Sequence, residues 1–222
     1  MNFYPWYYNA PRDVIYADYI PIVKSDRLAL TLTEVKQHLA IDICDKTNDI
    51  QLQTMIEAVK LQAEDVTGRT LLTTTYLTFR DQFPREIMLK QSPVQSLTNI
   101  QYYLNGVLQT VDSLTYQLTQ SEAYPLISLL PNKFWPSDYD RRRQTIRITF
   151  VAGYGDTETS IPQDLRIAML NHIAYWWANR GDCTCNSAEA SLPPASRAIY
   201  SDYQIKNLTG LPPSSCGFGG WY

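Results

Sequence analysis

The spacing of apolar residues changes period twice along this chain, and that change does most to limit the fold. In TNDIQLQTMIEAVKLQAEDVTGRT, the residues Leu52, Met55, Ile56, Val59, Ala63 and Val66 recur every three or four positions, which is one stripe of an α-helix over 48–67. From 70 to 152 the runs LLTTTYLTF, EIMLK, LTNIQYYL, LTYQL and QTIRITFVA are short, β-branched or aromatic, and separated by turn residues. They predict antiparallel strands. Asn105-Gly106 suits a type I′ hairpin turn, because both residues tolerate positive φ. Helical spacing then returns over 162–180. A shorter helix over 31–40 opens the core, with Leu32, Val35 and Leu39 on one face. The predicted class is α+β: a small helical core of three main helices with an antiparallel β insertion between the second and third.

The helix ends carry their own signals. Thr31 with Glu34 three residues later forms a capping box, and Asn48 with Gln51 and Ser160 with Gln163 repeat the spacing. Gly68 is placed for a left-handed C-cap, Pro162 for a first helical turn, and Gly181 for the end of the third helix. That third helix is apolar on two sides. Leu165, Met169, His172, Ile173 and Trp176 make one face, and Ile167, Leu170, Ala174 and Trp177 the other. Such a helix is central to a core or shared with a neighbouring subunit.

Residues 1–27 hold Phe3, Tyr4, Trp6, Tyr7, Tyr8, Tyr16 and Tyr19 among Pro5, Pro11 and Pro21. The prolines forbid a regular helix and the rings are too many for a solvated tail. An extended arm lying on its own core or on a neighbour is expected. The core domain spans 28–181 with the β insertion at 70–152. From 182 to 222 the chain loosens into a Gly/Pro/Ser-rich segment, with a short helix around 195–201 and an aromatic tip, Trp221-Tyr222.

The loop in ITFVAGYGDTETSIPQ joins a strand to a helix through Gly153 and Gly155, the layout of a phosphate-binding turn. A P-loop needs a lysine after its glycines and a dinucleotide fingerprint needs a third glycine, where Glu158 stands. Asp156 and Glu158 would also repel phosphate, so the glycines read as a corner. Cys183 and Cys185 with His38 and His172 do not make a four-ligand metal spacing, and with Cys44 and Cys216 they read as free thiols. No serine or cysteine sits in a nucleophile motif, and Glu57 and Asp65 fall on helix surfaces. No catalytic residue, metal or cofactor is predicted. The net charge of −3 argues against a generic nucleic-acid binder. Arg141, Arg142 and Arg143, with Arg147 on the next strand, remain readable as a solvated edge, a DNA-facing run or a salt-bridged interface; Asp138 and Asp140 precede them. The 16 Tyr and 5 Trp favour protein interfaces. No apolar run reaches the roughly 18 residues of a membrane span, and the N-terminus lacks a signal-peptide pattern, so production in a cytoplasm is expected.

Laid in order, LTLTEVKQHLAID, LQTMIEAVKLQAEDVTGRTLLTTTYLTFRDQFP, SPVQSLTNIQYY, IRITFVAGYG, IPQDLRIAMLNHIAYWWANR and LPPASRAIYSDYQI resemble the head–tail adaptor (connector) proteins of tailed bacteriophages, over about residues 28–206. The joined VTGRTL and VAGYG…IP pieces are the most distinctive. The resemblance implies a structural virion protein at the head–tail junction, assembled in the bacterial host cytoplasm as a homo-oligomeric ring, usually of twelve subunits. Such a ring sits under the portal protein, extends the DNA channel without sequence-specific binding, and carries tail, stopper or tail-fibre proteins. No membrane and no enzymatic chemistry are implied. On that basis Tyr200, Tyr203, Leu208, Trp221 and Tyr222 are expected to dock on portal or a neighbour. Tyr4, Trp6, Tyr7, Tyr8, Trp176 and Trp177 are expected at subunit contacts, and Arg141, Arg142 and Arg143 are the candidate DNA-facing residues. The rival reading of the Tyr/Trp surplus is a β-rich carbohydrate- or protein-binding module of a phage tail.

Overall fold

A computed structural model describes residues 19–121, 125–180 and 192–205. Along these residues the chain forms β1 (Tyr19–Lys24), α1 (Leu32–His38), α2 (Asp49–Thr67), β2 (Thr74–Arg80), β3 (Glu86–Met88), β4 (Val94–Leu104), β5 (Val107–Thr110), β6 (Tyr116–Thr119), β7 (Leu126–Leu129), β8 (Ile146–Ala152), α3 (Gln163–Ala178) and α4 (Pro194–Tyr203). The class is α+β, with the strands from β2 to β8 inserted between α2 and α3.

Local chemistry explains most boundaries. Thr31 Oγ1 accepts the Glu34 N–H at 3.1 Å and starts α1. On α2 the predicted stripe turns inward: Leu52, Ile56, Val59 and Ala63 are fully buried. Gly68 ends it at φ 69°, donating to the Glu64 carbonyl at 2.9 Å. Two cap readings do not hold. Asn48 occupies the N-cap of α2 but its side chain makes no capping bond. Ser160 closes a 3₁₀ turn, and the extended backbone of Pro162, not a side chain, precedes Gln163. The ψ of 136° at Pro162 puts Ser160 too far back to reach the first turn. α3 is closed at Asn179, and Gly181 lies outside the described residues.

Five strands form one antiparallel sheet in the order β1-β2-β8-β4-β5, and β3-β7-β6 form a second. In β8 the buried Ile146, Ile148, Phe150 and Ala152 alternate with half-buried residues, as period-two burial requires. β1 and β7 have no counterpart among the predicted strands. β1 takes the last part of the expected aromatic arm and pairs it with β2 of its own subunit, from Tyr19 opposite Thr78 to Lys24 opposite Thr74. Its place at the sheet edge tolerates Pro21, which has no N–H to give to a ladder. Residues 1–18 lie outside the described residues.

The apolar residues divide into two cores. Ala29, Leu30, α1, α2, α3 and Tyr200 of α4 build the helical one, and the sheets enclose the other around Phe150, Ile148 and Ile127. Lys36, buried on α1, pairs with Asp49 and donates to the carbonyls of Ile43 at 3.2 Å and Asp45 at 2.6 Å, which ties down the α1–α2 connection. Glu64 Oε1 accepts the N–H of the fully buried Leu71 at 2.8 Å, and burial pushes its carboxyl pKa up. A raised folded pKa means the native state holds that proton more tightly than the unfolded chain. The associated stability is present at acid pH and is lost as pH rises through the folded value. Glu64→Gln keeps an acceptor for Leu71 and removes this dependence. In urea melts it should match or exceed wild type at pH 7 and lose the advantage near pH 4. Glu64→Ala should cost about 1–3 kcal/mol at both, because it strands the buried N–H.

Candidate functional site

The Gly-X-Gly loop between β8 and α3 folds as a corner. A Cβ at Gly153 would stand 2.6 Å from the Leu72 carbonyl, and one at Gly155 would collide with the Ser160 hydroxyl. Two of the loop's N–H groups are engaged: Gly153 donates to Pro93 at 2.8 Å and Tyr154 to Leu71 at 3.2 Å. Both bonds go to the protein's own backbone, so these two donors are turned away from any phosphate. Among the described residues no group of three or more His, Cys, Asp and Glu side chains is placed to hold a metal ion. Cys183 and Cys185 lie outside them. His172 is buried in the helical core, with Trp176 edge-on at 4.6 Å. No helix among the described residues is long and apolar enough to cross a membrane.

Part of the aromatic surplus forms a seam between the two sheets. Phe83 stacks on Trp135 at 5.0 Å and Trp135 on Tyr116 at 6.1 Å, while Tyr102 and Tyr139 meet Phe83 edge-on. These rings pack on one another and do not present an open platform of the kind sugar stacking requires. Phe134 beside them is exposed.

α4 is fastened to the helical core at several points. Ser196 Oγ donates to the Ala168 carbonyl at 2.8 Å, Arg69 Nε to the Tyr203 carbonyl at 2.8 Å, and the Ile205 N–H to Thr67 at 3.0 Å. Tyr203 donates its hydroxyl to Asp164 Oδ2 at 3.0 Å; burial and that carboxylate both push its pKa up. Tyr200, expected on a docking surface, is instead fully buried in the helical core. Helical periodicity decides this: Ser196 and Tyr200, four apart, are the buried residues of α4 and face α3. Nothing in the sequence singles out Arg69 and Asp164, since their partners lie far along the chain.

Of the remaining expected contact residues, Trp176 and Trp177 are half-buried against the helical core, with Ile167 and Tyr175 exposed on the same helix. Tyr4, Trp6, Tyr7, Tyr8, Leu208, Trp221 and Tyr222 lie outside the described residues. Arg141, Arg142 and Arg143 are exposed on the loop leading to β8, with Arg142 stacked 3.9 Å over the Tyr103 ring.

A family model described as head completion protein matches residues 29–203, from the first core residue of the helical domain to the end of α4. The chain belongs to the head completion protein family. It is a structural virion protein of the head–tail adaptor class. Solved structures share the fold. A chain in the neck of an empty gene transfer agent particle, computed with C6 symmetry, superposes with a TM-score of 0.72 at 20% identity, covering 88% of this chain and 100% of its own. A chain in the virion of the native gene transfer agent particle gives 0.70 at 21% identity over 88% and 99%. A third, from the native neck computed with C12 symmetry, gives 0.69 at 20% over 90% and 100%. No curated protein matches the chain.

Proposed function

We propose that this head completion protein forms a closed ring of twelve copies beneath the portal of a DNA-filled head. The ring continues the DNA channel, carries the tail-side proteins and has no chemistry of its own. The observation that carries the reading is the family match over 29–203, with similar folds seen whole in virion necks computed with C6 and C12 symmetry. Assembly takes place in the host cytoplasm before the ring joins the virion.

Within this reading Trp176 and Trp177, half-buried on two faces of α3, and the exposed Ile167 lie at the contact between neighbours, as does the arm holding Tyr4, Trp6, Tyr7 and Tyr8. A heterologous contact repeated around a closed ring would bury such surfaces on every subunit. Leu208, Trp221 and Tyr222 contact the portal or a neighbour. Tyr203, half-buried at the end of α4, joins them. Tyr200 anchors α4 from inside and makes no docking contact.

Native mass spectrometry and negative-stain imaging test this, with the full chain alone and mixed with the portal of its phage. A ring, formed alone or on portal, is the expected result; a monomer indifferent to portal would sink the reading. A variant truncated after Ile205 should keep the wild-type melting temperature and lose portal binding. Retained binding would move the docking site elsewhere.

A further inference from the structure

We propose that the loop before β8, tied by Asp140 to the tip of the β4–β5 hairpin, is a preassembled contact for the phosphodiester backbone of double-stranded DNA. Arg141, Arg142 and Arg143 would make the contact, and Asp140 would be the positioning residue that holds them. The inference rests on the adaptor reading only for the presence of DNA; its physical basis is the loop itself.

Two independent ties fix the arginine segment. Asp140 Oδ1 accepts the Asn105 N–H at 2.8 Å and Oδ2 accepts the Gly106 N–H at 2.9 Å, so one carboxylate spans both residues of the hairpin turn. The Asp140 N–H donates to Tyr103 at 2.8 Å, and the Arg142 N–H donates back to Asp140 at 2.9 Å. At the far end the Gln144 N–H donates to Asp81 Oδ1 at 2.8 Å, with Gln144 at φ 55°. The three arginines lie between these anchors.

Asp140 and Asp81 are occupied by backbone N–H groups. Among the described residues the ion pairs are Lys36–Asp49 and Arg166–Glu34, so Asp138, Asp140 and Asp81 form none with the arginines. The guanidinium of Arg142 lies 3.9 Å over the Tyr103 ring and that of Arg141 5.2 Å over the Tyr139 ring. Stacking of this kind orients the planar group and leaves its N–H edge open, the geometry that receives phosphate oxygens in pairs. Three adjacent, unpaired cations on one fixed loop repel each other. A polyanion that neutralises all three together relieves that repulsion. Phosphate-backbone binding of this type carries no sequence preference.

The sign of one substitution separates positioning from charge. Asp140→Ala removes a negative charge beside three cations, so a patch acting through charge alone would bind DNA more tightly. A patch that Asp140 preassembles binds more weakly, by about three- to tenfold, because three long side chains must then be ordered on binding. The experiment titrates labelled random-sequence duplex DNA with the full chain by fluorescence anisotropy across salt concentrations. On the same samples native mass spectrometry reports rings. The triple variant Arg141→Ala, Arg142→Ala, Arg143→Ala should reduce the log–log salt slope by about 2.7, at about 0.9 for each phosphate no longer neutralised. Asp140→Asn, which keeps an acceptor oxygen for the hairpin, should fall between wild type and Asp140→Ala and serves as the readout if the alanine variant does not fold. Equal or tighter binding by the folded Asp140 variants overturns the inference. So does a wild-type ring with no DNA affinity, or a triple variant that loses portal binding with DNA affinity unchanged, which would assign the loop to an acidic protein surface. Absence of rings overturns the adaptor reading instead, and DNA binding is still read on the monomer.

Discussion

Tyr200→Ala should lower the unfolding free energy by about 3–5 kcal/mol, the range for removing a large aromatic from a packed interior. Tyr200 is the largest fully buried side chain of the molecule's described residues, and it packs on the helical core with its ring 6.2 Å from His172. Its removal leaves a cavity between α4 and the body that the hydrogen bonds of Ser196 and Tyr203 keep from collapsing. Tyr200→Phe isolates the role of the hydroxyl. That group is buried without a hydrogen-bond partner among the described residues, and burial pushes its pKa upward. The phenylalanine variant should therefore stay within about 1 kcal/mol of wild type or gain slightly, since the change relieves an unsatisfied polar atom. Urea denaturation of the three proteins separates the roles. A docking tyrosine would leave stability unchanged on truncation and lose portal affinity in both variants.

Gly153→Ala should cost at least about 3 kcal/mol and is expected to leave little folded protein. At φ 129° the backbone is in a region that only glycine enters readily, and the added methyl would meet the Leu72 carbonyl carbon and oxygen at 2.6 Å. Those are backbone atoms of the chain entering β2, held by hydrogen bonds from Tyr154 to Leu71 and from Thr73 to Gly155. Neither side gives way cheaply, because the same close approach joins the helical core to the sheet. Gly106→Ala is the matched control. It has φ 77° but nothing within 4 Å of an added Cβ, so only the left-handed conformation is penalised, at about 1–2 kcal/mol. Thermal melts giving equal losses at the two positions would remove the steric account of the corner.

Much of the fold is legible in the sequence because local rules govern it. The stripe of α2, the Thr31 cap, the left-handed Gly68 and the Asn105-Gly106 turn, at φ 53° and 77°, each depend on residues within a few positions. The alternating burial of β8 follows from IRITFVA alone. The Gly-X-Gly corner is legible in outline: the missing lysine and the acids exclude phosphate. What forces glycine there is Leu72, about eighty residues earlier in the chain. β7 escapes a sequence reading because LISL is too short to show a period. β1 escapes it because Tyr19 and Pro21 read as the end of the aromatic arm until a partner edge supplies the ladder.

The candidate surfaces divide along the same line. Local periodicity and residue chemistry are enough to give the α+β class, the family resemblance and the identity of the arginines. Only packing of the folded chain turns Tyr200 inward, brings Arg69 to the Tyr203 carbonyl 134 residues away, and sets Asp140 across a hairpin 34 and 35 residues before it. Each of those facts depends on which distant backbone donors and acceptors a side chain meets once the two cores have formed. Such meetings leave no period in the sequence, since the chain between the partners can vary without changing the contact.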